Sequence, residues 1–273
     1  MRYEVSNNNG KIGFSTYFTF GLRETWIAIL VELGENFFPW HDKHPLGKKM
    51  VPSASAWFTQ ALLVEEKTHK LLPTTKIFEK QGSLSKLGWE FVWIALANNS
   101  LLIKCFVSNI NFDQPYTLDN IADNLLLSLP SLSKTAKEDG RDALRDMLTK
   151  SPLGGDGAVT LIEMKGKQVK SITRKAKDVN PLTILYGLYL IAAKTERGGF
   201  TIRELMTADG DSAYISPLVA FGITPDTFKK QCEGLKSKYP DYIQTTFTHG
   251  NDELTIFPAM YTAEDIIKLA LGE

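Results

Sequence analysis

Residues able to grip or cut a charged backbone fall in two short stretches near the start of the chain. Arg23 and Glu24, in FTFGLRETW, stand just ahead of a helical pattern. A guanidinium there can hold a phosphate, and the carboxylate beside it can bind a divalent ion such as magnesium or activate water. Arg23 serves equally well as one half of a structural bridge to a carboxylate. The second stretch holds Lys48 and Lys49, then Ser53, Ser55 and Gln60 in LGKKMVPSASAWFTQALLV, with Lys67, His69 and Lys70 following in EEKTHK. Lysines at a helix start suit phosphate or guanine contacts, and serine hydroxyls both donate and accept. His41-Asp42-Lys43-His44 gathers the residue types that ligate metals, but neighbouring loop residues rarely converge on one centre, so a solvated loop is the competing reading. His69 and His249 read as polar surface residues.

Other chemistries drop out. There is no GxxxxGK[ST] phosphate loop, no GxSxG nucleophile elbow and no HExxH zinc helix. Two cysteines, Cys105 and Cys232, are too few for a disulfide scaffold or a four-thiolate zinc site. Of 273 residues 43% are hydrophobic and 23% charged, the mixture of a globular protein with a sizeable core. The first residues, MRYEVSNNNGKIG, lack the apolar core of a signal peptide, and apolar runs are cut by Glu90 and Lys104. A cytoplasmic protein with no membrane partner is expected. Basic and acidic residues balance at 31 each, yet unevenly: six bases and no acid lie between Lys165 and Lys177. That run is either a solvated loop or hairpin, or a phosphate-contacting face.

The elements that must position these groups follow from periodicity. Trp26, Ile29, Leu30 and Leu33 mark a helix over Thr25–Leu33, and Met50, Ala54, Trp57 and Ala61 share one face of the next, leaving Ser53 and Gln60 on another. Pro52 fits its first turn. Strand character at Leu62–Glu66 and Thr74–Phe78 around EEKTHK completes a helix and hairpin, a winged helix-turn-helix. Leu84–Ala97 reads as a buried helix; LLIKCFV is strand or helix; Thr117–Leu127 and Ser133–Leu148 are helices. Trp26, Trp57, Trp89 and Trp93, at helical spacing among aliphatics, are core anchors rather than base-stacking platforms. Ser151–Gly157 (SPLGGDG) marks a boundary between residues 1–150 and 151–273. Beyond it come Pro181–Ala193, Thr201–Met206 with a capping-box Glu204, Thr224–Tyr239, and a hairpin over Ile243–Phe257. That order fits a second winged helix. The expected class is mainly α with small β-hairpins (α+β).

Three patterns in order carry a family resemblance. Phe14-Ser15, Thr19-Phe20, Leu22-Arg23 and Trp26 match F-S-x-H-E-T-F-x-L-R-x-x-W. Leu46-Gly47, Lys49-Met50-Val51 and Trp57 are similar to L-G-x-G-K-N-M-V-x-x-I-x-x-W. Trp89 and Trp93 match a pair of tryptophans, and Asn99-Ser100 come at about the expected place after them. The chain thus resembles the SspB-like family over residues 14 to 107. The resemblance implies a DNA-nicking component of bacterial DNA phosphorothioation, a modification linked to phage defence that replaces a non-bridging phosphate oxygen with sulfur. It implies DNA as partner, alongside a cysteine desulfurase, an ATPase and a sulfurtransferase-like protein. Tyr17 and Phe18 take the places of the family's histidine and glutamate, so chemistry resting on that pair is absent or done elsewhere, and Lys48 replaces the second glycine. Three functions are open: a DNA nickase using Arg23 and Glu24, a non-enzymatic DNA-binding adaptor, or a protein-interaction module.

Overall fold

The computed structural model describes residues 14, 16–129, 132–207, 213–248 and 251–273. The residues considered for a signal sequence (1–13), Ser15 of the family pattern, and the His249-Gly250 hairpin turn lie outside them. The class is the expected one: mainly helical, with two small antiparallel sheets.

Two buried helices form the centre. α4 (Lys86–Asn99) is buried on every side from Gly88 to Asn98, and α8 (Pro181–Thr195) is buried almost as fully. Both begin on sequence signals: Ser85 accepts from the Gly88 N–H, while Asn180 caps α8 with Pro181 at its first position. Glu90, buried mid-way along α4, ties the two together. Its Oε2 accepts from the Asn180 N–H and the Thr183 hydroxyl, each at 2.9 Å, and Lys177 lies 3.6 Å from Oε1. A carboxylate at a helix N-terminus meets orphan N–H groups and the positive end of the dipole, which offsets its desolvation.

The remaining elements wrap this pair. α1 (Glu24–Leu33) leads into a short 3-10 turn (Gly34–Phe37), then α2 (Met50–Gln60) and α3 (Pro73–Gln81) precede α4. LLIKCFV is helical: Ser100 ends α4 and caps α5 (Leu101–Asn109), and the chain bends by 94° between them. Neither this bent pair nor any other described segment is a single helix long and apolar enough to cross a membrane. α6 (Leu118–Ser128) and α7 (Lys134–Lys150) come next. β1 (Pro115–Tyr116), β2 (Thr160–Lys165) and β3 (Gln168–Arg174) pair in the order β1-β3-β2. The glycine-rich SPLGGDG segment joins α7 to β2, and buried residues on both sides of it enter one core cluster.

After α8 come β4 (Gly199–Thr201), α9 (Ile202–Leu205), α10 (Pro217–Phe221), α11 (Pro225–Lys238), the hairpin β5 (Ile243–Thr248) and β6 (Asn251–Ile256), and α12 (Ala263–Leu271). The second part thus contains the three helices and the hairpin read from the sequence, together with β4, α10 and α12, which the periodicity did not reveal. The sheet order β4-β6-β5 adds the early strand to the hairpin. Thr201 and Glu204 form the anticipated capping box, with the Glu204 carboxylate 2.9 Å from the Thr201 N–H.

The N-terminal hairpin is a correction. It is reduced to one antiparallel bridge, Val64 to Leu71, and Thr74–Phe78 lies inside α3. Pro73 supplies the first helical position, where its missing N–H costs nothing. Thr74, Thr75, Ile77 and Phe78 are then buried from a helix, with the Thr75 hydroxyl donating to the Leu63 carbonyl at 2.7 Å. β-branched residues suggested a strand; tertiary burial and the proline made a helix.

Candidate nucleic-acid interface

α2 presents its lysine-tipped start outward and most of its body inward. Lys48 and Lys49 are exposed. Ser53 is the clearest correction: it is fully buried, and its hydroxyl donates to the Tyr17 carbonyl at 3.0 Å and to the Phe20 carbonyl at 3.3 Å. Trp57 joins it, its indole N–H reaching the Phe20 carbonyl at 2.9 Å while its ring stacks on Tyr17 at 4.1 Å. Residues 17–20 therefore cover the helix face that periodicity left polar. Gln60 is half-buried; its side chain accepts from the Tyr17 hydroxyl and its carbonyl from Asn99 at 3.1 Å. Ser55 is half-buried beside them.

The loop that replaces the hairpin keeps Lys67 and Lys70 exposed. His69 adopts a left-handed backbone (φ 57°) and lays its ring on Phe38, centroids 4.3 Å apart and planes 11° apart. That stack seats the loop against the segment leading to Lys48, whose ammonium sits 5.5 Å from the Trp40 ring centre. Lys48 and Lys49 lie on one of the two segments joined by the Phe38–His69 stack and Lys67 and Lys70 on the other, with Asp42, Glu65 and Glu66 also exposed there. None of the four lysines enters an ion pair with a described residue. Trp40 itself escaped the sequence reading. It sits in a proline-interrupted connection, outside any helical pattern, and is 43% exposed.

His44, expected with His41 and Asp42 either to ligate a metal or to sit in a solvated loop, does neither. It is buried, with Nε2 2.7 Å from the Phe37 carbonyl and Nδ1 accepting from the Leu46 N–H at 3.0 Å. Both ring nitrogens are occupied in shaping the turn, and the backbone donor at Nδ1 requires the proton on Nε2.

Arg23 takes the structural role weighed against its phosphate clamp. Its Nε and Nη2 both lie 2.8 Å from Asp146 Oδ2 on α7, and its guanidinium stands over the Trp26 and Phe20 rings at 5.1 and 5.7 Å. The same oxygen accepts from the Gly21 N–H at 3.0 Å, and Lys150 meets Oδ1 at 2.6 Å. Glu24 is half-buried at the start of α1, accepting from the Ser83 hydroxyl. No group of three or more metal-ligating side chains forms among the described residues. Asp146 has its oxygens engaged, so Glu24 is the carboxylate left beside Arg23, and magnesium held by one carboxylate would take its remaining ligands from substrate phosphates and water. Tyr17, in the position of the family's histidine, is buried and bonded to Gln60 and Ser100, and burial pushes its hydroxyl up to about 12, so it supplies no base near neutral pH. Burial likewise raises the thiol of Cys105 to about 11 and that of Cys232 further.

The basic run forms a hairpin, and the fold uses most of it. Lys170 pairs with Glu163 at 2.6 Å, Lys175 with Asp113 at 2.5 Å and Lys177 with Glu90. Arg174 is buried, donating to the carbonyls of Val107 (2.5 Å), Ile110 (2.8 Å) and Val219 (2.8 Å). Lys165 and Lys167 remain exposed around the Gly166 turn, whose φ of 62° favours glycine. In the second part, α11 turns Phe228, Cys232 and Leu235 inward and leaves Lys230, Ser237 and Lys238 exposed beside the hairpin β5–β6.

Solved structures share this fold. An SspB crystal structure superposes with a TM-score of 0.69 at 16% identity, covering 95% of this chain and 88% of the other. The chain has the SspB fold. A magnesium ion-bound SspB crystal structure gives a TM-score of 0.68 at 14% identity over the same shares. No protein-family model and no curated protein matches the sequence. The likeness to SspB spans both the lysine-tipped α2 and the second part, where sequence similarity is one of pattern only.

Proposed function

We propose that this protein binds DNA with the lysines ahead of α2 and in the neighbouring loop, and nicks one strand in an SspB-like role in phosphorothioate modification. The observation that supports the binding half is that Lys48, Lys49, Lys67 and Lys70 are all exposed and unpaired with described acids, on two segments joined by the Phe38–His69 stack, in a molecule whose total charge is zero. Lysines not neutralised by the fold are the ones left to displace counterions from phosphates. The order of the second part, α11 followed by the β5–β6 hairpin, supports a winged-helix reading there, with Lys230 and Lys238 exposed on α11 on either side of an exposed Glu233.

The nicking half rests on the fold likeness and on the family resemblance; among the residues, Glu24 is the candidate. A second reading, a non-enzymatic DNA-binding adaptor, is favoured by a specific observation. Arg23 is locked to Asp146, and Tyr17 in place of the family's histidine is buried and bonded to Gln60 and Ser100.

One pair of assays separates these. Duplex DNA binding is measured by anisotropy from dilute to physiological salt for the protein and for Lys48→Glu with Lys49→Glu. The double variant is expected to bind more weakly, with a salt slope reduced by about 2 if both lysines meet phosphates, at roughly 0.9 per contact. Supercoiled plasmid is then incubated with protein and magnesium. Relaxed circles that disappear with Glu24→Ala support the nickase; tight binding with no relaxed circles supports the adaptor. Absence of any DNA binding in dilute buffer removes both.

A further inference from the structure

Four of the five tryptophans are at most 1% exposed: Trp26, Trp57, Trp89 and Trp93. Three of these also satisfy their indole N–H on a backbone carbonyl, of Phe20, Ser83 and Ala220 respectively for Trp57, Trp89 and Trp93. Trp40 departs from them. At 43% exposure it leaves a large apolar ring face in water, which the fold has avoided at every other tryptophan. It does so beside a cation: the Lys48 ammonium lies 5.5 Å from its ring centre, and Lys43 and Lys49 are exposed on the same segment against a single acid, Asp42. The Phe38–His69 stack joins this segment to the loop that carries Lys67 and Lys70 together with Glu65 and Glu66. The segment is held firmly from beneath. Phe37 is fully buried, edge-on to both Phe58 and His44, and the two His44 hydrogen bonds fix the turn just after Trp40.

A rigidly mounted, exposed indole among lysines has the chemistry of a platform for unpaired bases. Every base offers a π-face, so stacking tolerates any sequence, while the lysines take the phosphates on either side. A paired base within duplex hides both faces against its neighbours and cannot use such a platform without being unstacked. We infer that Trp40 stacks an unpaired DNA base and that this surface engages single-stranded DNA, flanked by the phosphate contacts of Lys48 and Lys49. The inference rests on the DNA-binding reading and adds the form of the substrate: a strand opened or melted locally, rather than intact duplex alone. A protein partner docking on Trp40 is the competing outcome.

The test compares oligo-dT with a blunt duplex of the same length for the full-length protein, Trp40→Ala and Trp40→Phe, by anisotropy at one salt concentration. Trp40→Ala is expected to weaken oligo-dT binding about 5- to 100-fold and duplex binding less than about 2-fold, with Trp40→Phe retaining most of the single-strand affinity. Urea midpoints of the variants check that the fold is kept. Oligo-dT is also expected to quench the indole emission of the unmodified protein, and to leave Trp40→Phe unquenched, a readout that needs no destabilising change. Unaltered oligo-dT affinity in Trp40→Ala, while Lys48→Glu with Lys49→Glu loses it, overturns the stacking inference and leaves DNA binding intact. Equal losses on single strand and duplex overturn it as well, and so does quenching that persists in Trp40→Phe. Failure of the unmodified protein to bind either DNA overturns the reading beneath it.

Discussion

The Arg23–Asp146 contact decides whether Arg23 is part of the frame, and Asp146→Asn perturbs it with little change in shape. Asp146 Oδ2 takes three N–H groups, from Gly21 and from Nε and Nη2 of Arg23, and Oδ1 meets Lys150. The paired side chains are only 17% and 11% exposed. Breaking a buried ion pair from one side costs about 3–5 kcal/mol, because the surviving charge stays desolvated. Here the survivor keeps some relief. The guanidinium retains a little solvent and the faces of Trp26 and Phe20, each worth about 0.5–1 kcal/mol, and the amide oxygen of asparagine still accepts one of the three bonds. The expected loss is therefore about 2–3 kcal/mol for Asp146→Asn and about 3–4 kcal/mol for Asp146→Ala. In a thermal melt the Asp146→Asn loss is a drop of roughly 4–12 °C, at about 2–4 °C per kcal/mol for a chain of this size. Arg23→Met should cost a similar amount, and the double variant should cost less than the sum, with a coupling of about 1–3 kcal/mol. Urea titrations of the unmodified protein and each variant give these numbers directly. A loss below about 0.5 kcal/mol for Asp146→Asn, or a coupling near zero, refutes the structural role. In that case Arg23 is free to serve as the phosphate clamp.

Other expectations come from the same interior. Ser53→Ala removes a hydroxyl bonded to two carbonyls and should cost about 1–2 kcal/mol in urea while leaving DNA affinity unchanged, the reverse of what a base-contacting serine gives. Arg174→Met strands the carbonyls of Val107, Ile110 and Val219 and should cost on the order of 3 kcal/mol, read as a lower urea midpoint. Gly21→Ala places a methyl about 2.1 Å from the Met147 nitrogen, within α7, and should destabilise by about 3 kcal/mol, the upper end of overpacking effects. The carboxyls of Glu204 and Asp265 are held below their usual range, Glu204 chiefly by the Thr201 N–H and Asp265 chiefly by Lys268 and then by the Thr262 N–H. Their stabilisation is present above the ordinary carboxylate pKa and is lost as pH falls through the lowered values. Acid titration of stability should accordingly show a shallower decline in Glu204→Gln.

Local signals were legible where the residues themselves bond. Thr201 with Glu204, Ser133 and Thr224 each cap the helix that comes after, since a hydroxyl reaching an N–H three residues on needs no distant partner. The second part's helix-to-hairpin order was readable for the same reason. Pro73 carried the signal that α3 begins there, but the β-branched Thr74 and Thr75 outweighed it, and only burial against the rest of the core separates helix from strand over so short a run. The direction of Ser53 was out of reach, because the segment covering it lies more than thirty residues earlier in the chain. Arg23 met the same limit, with its carboxylate 123 residues away.

That limit has a consequence for the site. Polar residues predicted to face outward were chosen by type and local spacing, and the fold then drew on that set for its own needs. Ser53 and Gln60 hold residues 17–20 against α2, Arg23 fastens that same stretch to α7, and four of the six bases in the 165–177 run meet acids or carbonyls. The residues that survive this internal demand are a more selective indicator of function than the original set. Lys48, Lys49, Lys67 and Lys70 survive it, and Trp40 joins them as the tryptophan the core did not take. None of these cations pairs with a described acid, and the indole is left 43% exposed. Exposed lysines and an exposed indole on the same segment are better matched to a partner bearing phosphates and aromatic faces than to water.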